Sequence, residues 1–150
     1  MHAFPTRPQE VKSPGSLRRW QRRGAAAVEF AIVAPLLVAL VLGLIEFGRV
    51  LMVGQILTNA AREGCRTAVL EGSTTTDVNT TVSNYLTGSG ISGAPAPTVS
   101  PDPSSAAPGS SITVTVSVPF NNVSWLPVPL FMGGKTLSAT VIMRKESNNT

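Results

Sequence analysis

One histidine and one cysteine occur in 150 residues, aromatic side chains make up 5%, and acidic groups number eight against twelve basic ones. Each shortage removes a class of chemistry. The histidine is His2, at the extreme N-terminus, so the remainder of the chain has no imidazole base and no histidine-ligated metal. Cys65 alone supports neither an intrachain disulfide nor a structural zinc site. Two accounts of it stand: a small packing residue, and an intermolecular disulfide in an oxidising compartment. Beyond residue 71 the acidic residues are Asp77, Asp102 and Glu146, isolated from one another, with no paired-carboxylate, Walker-type or nucleophile-elbow pattern around them. The sequence therefore nominates no catalytic, cofactor-binding or metal-ligating residue. The expectation is a chain that is not an enzyme and takes no cofactor and no small-molecule substrate. Asn79-Thr80-Thr81, Asn122-Val123-Ser124 and Asn148-Asn149-Thr150 fit the glycosylation acceptor pattern, which Ser/Thr/Asn-rich sequence matches by chance.

What charge there is, is unevenly placed. Residues 1–23 hold Arg7, Lys12, Arg18, Arg19, Arg22 and Arg23 against Glu10 alone, whereas the rest of the chain is near neutral. This arm lacks the interleaved aromatics of a nucleic-acid binder, Trp20 excepted, and no nucleic-acid partner is expected. Basic residues before an apolar run instead fix membrane topology. That run follows at once. Residues 30–45, FAIVAPLLVALVLGLI, contain no charged group, and with residues 25–28 they reach the roughly 20 residues that cross a bilayer, interrupted only by Glu29. A cleavable secretory signal has a shorter apolar core followed by a small-x-small site. This run is longer and continues into Glu46-Phe47-Gly48-Arg49, which favours an uncleaved anchor. The charge bias predicts one span in the cytoplasmic (inner) membrane, in contact with membrane lipid, with the N-terminus cytoplasmic and the C-terminal part outside. Pro35 lies within the span, where transmembrane helices tolerate a local defect.

Helical periodicity does not end with the apolar run. Val50, Val53, Gly54, Leu57, Ala61, Gly64, Cys65 and Ala68 share one face, and Gln55, Asn59, Arg62 and Arg66 lie opposite. The spacing predicts one helix from about residue 25 to 70, apolar all round in its first half and amphipathic in its second, closed at Glu71-Gly72-Ser73. Gly54, Ala61, Gly64, Cys65 and Ala68 leave room for another backbone to approach. Two partners for this face stand equally: the chain's own folded part, or neighbouring helices in an assembly.

Thr76 or Asp77 as N-cap, with Val78, Val82, Tyr85 and Leu86 at helical spacing, predicts a short second helix ending near Gly88. Residues 89–109, with five prolines among Gly, Ser and Ala, read as a linker with little to bury. Ile112, Val114, Val116 and Val118 alternate with Thr and Ser, and Leu137, Ala139, Val141 and Met143 alternate with Ser138, Thr140 and Ile142; two antiparallel strands follow. Such a pair needs a helix beneath it, and the amphipathic half of the first helix is the nearest. Residues 119–134 carry Phe120, Trp125, Leu126, Leu130, Phe131 and Met132 among three prolines. That segment is left three roles: covering the core, touching lipid, or meeting a partner. The sum is an α+β fold, divided as a basic cytoplasmic leader (1–23), a transmembrane and amphipathic helix (24–71), a short helix with linker (72–110) and a small β head (111–150).

The stretch GAAAVEFAIVAPLLVALVLGLIEFGRVLMVGQILTNAAREGCRTA resembles the TadE-like family, the pseudopilins of tight-adherence (Flp) pilus systems. The likeness is carried by Gly24 followed by Glu29-Phe30, by Glu46-Phe47-Gly48-Arg49, and by Thr58-Asn59-Ala60-Ala61-Arg62-Glu63-Gly64. It implies a pilin-like plan in which a prepilin peptidase cuts between Gly24 and Ala25, making Glu29 the fifth mature residue. It further implies a structural or assembly role in a pilus or related secretion apparatus, with other pilins, pseudopilins and pilus assembly proteins as partners. Gly54, Leu57, Ala61, Gly64, Cys65 and Ala68 are then candidate packing and assembly positions, and Gly24, Ala25, Glu29 and Phe30 candidate processing positions. A carboxylate near hydrocarbon needs a partner, and cleavage supplies one, the new α-amino group at Ala25 of a neighbouring subunit. The competing account puts Glu29 at the headgroup level, reaching water. A generic single-span envelope protein with a small binding or scaffolding head is the alternative function.

Overall fold

A computed structural model describes residues 15–146, with side chains from residue 24 onward. The basic leader through residue 14, the side chains of residues 15–23 and the acceptor pattern at residue 148 lie outside the described residues. The chain divides into two compact units, Met1–Leu40 and Val41–Thr150. Helix α1, Gly15–Ala68, runs through Pro35 and begins ten residues earlier than the apolar periodicity indicates, so the end of the leader is helical too. Arg and Gln in residues 18–23 are good helix formers, and the single Gly24 between them and the apolar run costs the helix only about 1 kcal/mol.

In the first unit, the described side chains from residue 24 to 40 are exposed apart from half-buried Ala34 and Ala39. The apolar window of α1 has none of its length buried within the protein. The core helix of a water-soluble domain would be covered by its neighbours; this one presents Phe30, Ile32, Leu36 and Leu40 outward.

The second unit holds the core. Val53, Leu57, Ala60, Ala61, Cys65 and Ala68 of α1 are fully buried, and Gln55, Asn59, Arg62 and Arg66 are exposed opposite them. After Ala68 the chain turns through Gly72 at φ 73°, where a side chain would be strained. Helix α2, Thr75–Gly88, follows. Its N-cap is Thr74, not Thr76 or Asp77: the Thr74 hydroxyl accepts from the Asp77 amide at 3.3 Å while the Asp77 carboxylate accepts from the Thr74 amide at 2.9 Å. This reciprocal box satisfies two donors at once, which decides among three consecutive threonines. Val78, Val82 and Leu86 face the core; Tyr85 is at its exposed edge.

The sheet has three antiparallel strands in the order β1-β2-β3: β1 Thr98–Ser100, β2 Ser111–Pro119 and β3 Thr136–Arg144. Val114 stands opposite Val141, and Val116 opposite Ala139, so the alternating apolar faces coincide. The β2 valines and Ile112 are fully buried, and the corresponding β3 residues are half-buried. On the outer face the Thr115 and Thr140 hydroxyls meet at 2.9 Å.

The linker reading of residues 89–109 is corrected. Ile91, Pro103 and Ala106 are buried, and β1 pairs with β2. Asp102 closes a turn by accepting from the Ser104 amide at 2.9 Å and hydroxyl at 2.7 Å. Lys145 Nζ donates to the carbonyls of Pro103 and Ala106 at 2.6 and 3.1 Å. The prolines shape a folded loop held by β3's end and do not loosen it.

Candidate functional site

Two places on α1 carry the residues singled out in the sequence. The first is the start of the apolar run. Gly24, Ala25, Glu29 and Phe30 are all exposed, and a Cβ at Gly24 would meet nothing within 4 Å. No other element among the described residues covers this stretch of backbone.

The second is the amphipathic face. Leu57, Ala61, Gly64, Cys65 and Ala68 are buried beneath the chain's own sheet and α2. At Gly64 a Cβ would come within 2.6 Å of Val82 Cγ2 and 3.4 Å of Val114 and Val78 methyls, so this glycine is where α2 and β2 press closest. Cys65 donates its thiol to the Val141 carbonyl at 3.1 Å. Burial pushes the thiol upward from its ordinary pKa against the opposing pull of backbone hydrogen bonds, leaving a protonated packing residue. Gly54 differs from the others: it is half-buried, with no atom near its Cβ position.

Between these two places the structure assembles a cluster whose parts the sequence does not connect. Glu46 is 2% exposed although it follows an uninterrupted apolar run. Its Oε1 accepts from the Leu130 amide at 2.5 Å and its Oε2 from the Phe131 amide at 2.9 Å. Two backbone N–H groups on one carboxylate are charge-assisted bonds, which offset much of the cost of burying the charge. One turn earlier, the Phe131 ring lies over Gly43, where a Cβ would approach it to 3.2 Å. One turn later, Arg49 Nε donates to the Val123 carbonyl at 2.6 Å, and its guanidinium lies 4.9 Å from the Trp125 ring centre. Positions 43, 46 and 49 are three apart and so line one side of the helix. Together they clasp the loop of residues 120–135 that joins β2 to β3.

Residues 24–66 match the family described as TadE-like protein. The chain carries a TadE-like segment. No curated protein and no solved structure matches the chain. The TadE-like segment takes in the apolar run, Glu46, Arg49 and the buried face as far as Cys65, and it stops before α2 and the sheet. TadE-like proteins are a structural, pilus-associated family, which relates this chain to the Tad pilus. Among the described residues no group of three or more His, Cys, Asp or Glu is placed to hold a metal ion. The pattern Glu46-Phe47-Gly48-Arg49 marks the TadE-like segment in sequence, yet the task of its two charged residues is visible only once the loop is in place.

Proposed function

We propose that this chain is a membrane-anchored TadE-like pseudopilin, a structural or assembly component of a tight-adherence pilus or related secretion apparatus. The observation that carries the reading is the TadE-like match, which begins at Gly24 and takes in an apolar helical window with none of its length buried within the protein. The basic leader stays in the cytoplasm, residues 72–150 lie outside, and a prepilin peptidase cuts after Gly24. Gly24 suits that cut because it places no side chain against an entering protease, and its backbone is exposed. Glu29, exposed on the lipid-facing helix, neutralises the α-amino group of a neighbouring subunit's Ala25. Other pilins and pilus assembly proteins are the partners that this pairing supposes.

Mass spectrometry of the protein purified from a cell with an active prepilin peptidase tests the reading. A mature N-terminus at Ala25 is the expected result, and Gly24→Val should leave the longer precursor. Glu29→Gln should be cut normally yet fail to enter the assembly. A chain retaining residues 1–23 in such a cell would instead support a generic single-span envelope anchor.

A further inference from the structure

The loop between β2 and β3 contains two kinds of residue. Phe120 and Val123 are in the core, whereas Trp125, Val128, Leu130 and Phe131 are 65%, 75%, 53% and 65% exposed. Residues 119–134 contain no charge at all. Four large apolar side chains held outward on a short loop form a patch that water does not favour.

Where the loop is tied says what covers it. Its attachments are to Gly43, Glu46 and Arg49, at the end of the apolar run that closes with Ile45. Around those attachments the helix itself presents Val41, Leu44, Phe47 and Leu51 outward. Loop and helix therefore expose apolar surface around the same stretch of helix axis, Gly43 to Arg49, about 9 Å for six residue steps.

The loop's backbone is a second, independent observation. A segment lying in lipid must leave few unpaired N–H groups. Pro127 and Pro129 have none, the Leu126 amide donates to Ser124 Oγ at 3.1 Å, and the Leu130 and Phe131 amides donate to Glu46. Five of the seven residues from 125 to 131 thus bring no free N–H to a membrane. Trp125 has the ring type that favours the membrane–water interface, and Arg49 beside it has the long stem that lets a charge reach the headgroups.

We propose that residues 125–131 insert into the outer interfacial layer of the bilayer that α1 spans, with Glu46 as the residue that fixes their depth. The proposal rests on the single-span reading of α1. Lipid is thus bound by a loop of the folded part as well as by the helix.

Tryptophan quenching by brominated lipids tests it on the full chain in phosphatidylcholine–phosphatidylglycerol vesicles. With Trp20→Phe, Trp125 is the sole tryptophan. Bromines near the headgroup end of the acyl chains should quench it more than bromines at the bilayer centre, and aqueous iodide should quench it weakly. A second protein, Trp20→Phe with Trp125→Phe and Leu36→Trp, reports on the span and should be quenched most by the central bromines. Strong iodide quenching of Trp125 without bromolipid quenching overturns the loop proposal, as does shielding from both quenchers, which would mean a protein neighbour covers it. If Leu36→Trp also escapes the bromolipids, the span itself is wrong. Adding Glu46→Gln to the Trp20→Phe protein leaves one amide facing an amide and should shift Trp125 from bromolipid towards iodide quenching. Unchanged quenching there removes Glu46 from the depth-setting role.

Discussion

Gly64 shows how little room the core leaves at the residue scale. Replacing it with alanine gains about 1 kcal/mol in helix propensity, but the added methyl would sit 2.6 Å from a methyl of Val82, which is fully buried. Val82 is β-branched and within a helix, so its rotamer has no easy alternative. Overpacking of this kind costs about 1–3 kcal/mol and is expected to win. Gly64→Ala should therefore lower the denaturation midpoint, whereas Gly54→Ala, with open space at the same atom, should raise it or leave it unchanged. The helical repeat in the sequence shows that both glycines lie on or near the inner face; it does not show which one is pressed. Glu46 is the sharper case. Nothing local distinguishes it from Glu29, since both are lone carboxylates at the margins of one apolar run, and the partners that bury it lie 84 and 85 residues away.

At the scale of elements, alternation and helical spacing sufficed for β2, β3 and α2 because each has a strong apolar period. Val116 and Ile142 test that separation. Val116 is fully buried, and Val116→Asp would force an uncompensated charge into the core at a cost of about 3–5 kcal/mol. Ile142 is 62% exposed on the outer face, and Ile142→Thr should change stability by no more than about 0.5 kcal/mol. Protease resistance of the two full-length variants reads the difference. Strand β1 escaped notice because three residues between prolines carry no period, and its pairing comes from β2. The start of α2 makes a pH prediction. The Thr74 hydroxyl and amide hold the Asp77 carboxyl below the usual carboxylate range. A folded pKa below the unfolded one contributes stability that is present above the unfolded value and lost as pH falls through the folded one. Amide exchange at the first turn of α2 should therefore quicken through the acid range, and less so in Asp77→Asn. Thr74→Ala, which removes the cap itself, should cost about 1 kcal/mol at neutral pH.

For the molecule as a whole, α1 meets two different demands in one uninterrupted helix: its apolar window is uncovered by protein, and its last turns are the floor of a core. The orientation proposed for it is testable with reporter fusions. A periplasm-dependent enzyme fused near residue 110 should be active and one fused near residue 20 inactive; the reverse pattern would invert the topology. The legible part of this arrangement was the long helix with its apolar first half and amphipathic second half. The clasp was not, because it joins residues whose proximity exists only after the sheet has formed. That separation also sets a clock. On the proposed single span, Glu46 reaches the membrane during synthesis 84 residues ahead of the first amide that donates to its carboxylate, a delay of roughly 4–17 s at about 5–20 residues per second. For those seconds the carboxylate has only water and headgroups to satisfy it, so the nascent helix must ride higher in the bilayer than the finished one. On the proposed reading, final depth is a late event in the protein's birth, set when residues 130 and 131 reach Glu46. In arrested nascent chains carrying Cys65→Ser and Phe47→Cys, the new thiol should react with a water-soluble maleimide until residue 131 has emerged outside, and react poorly afterwards.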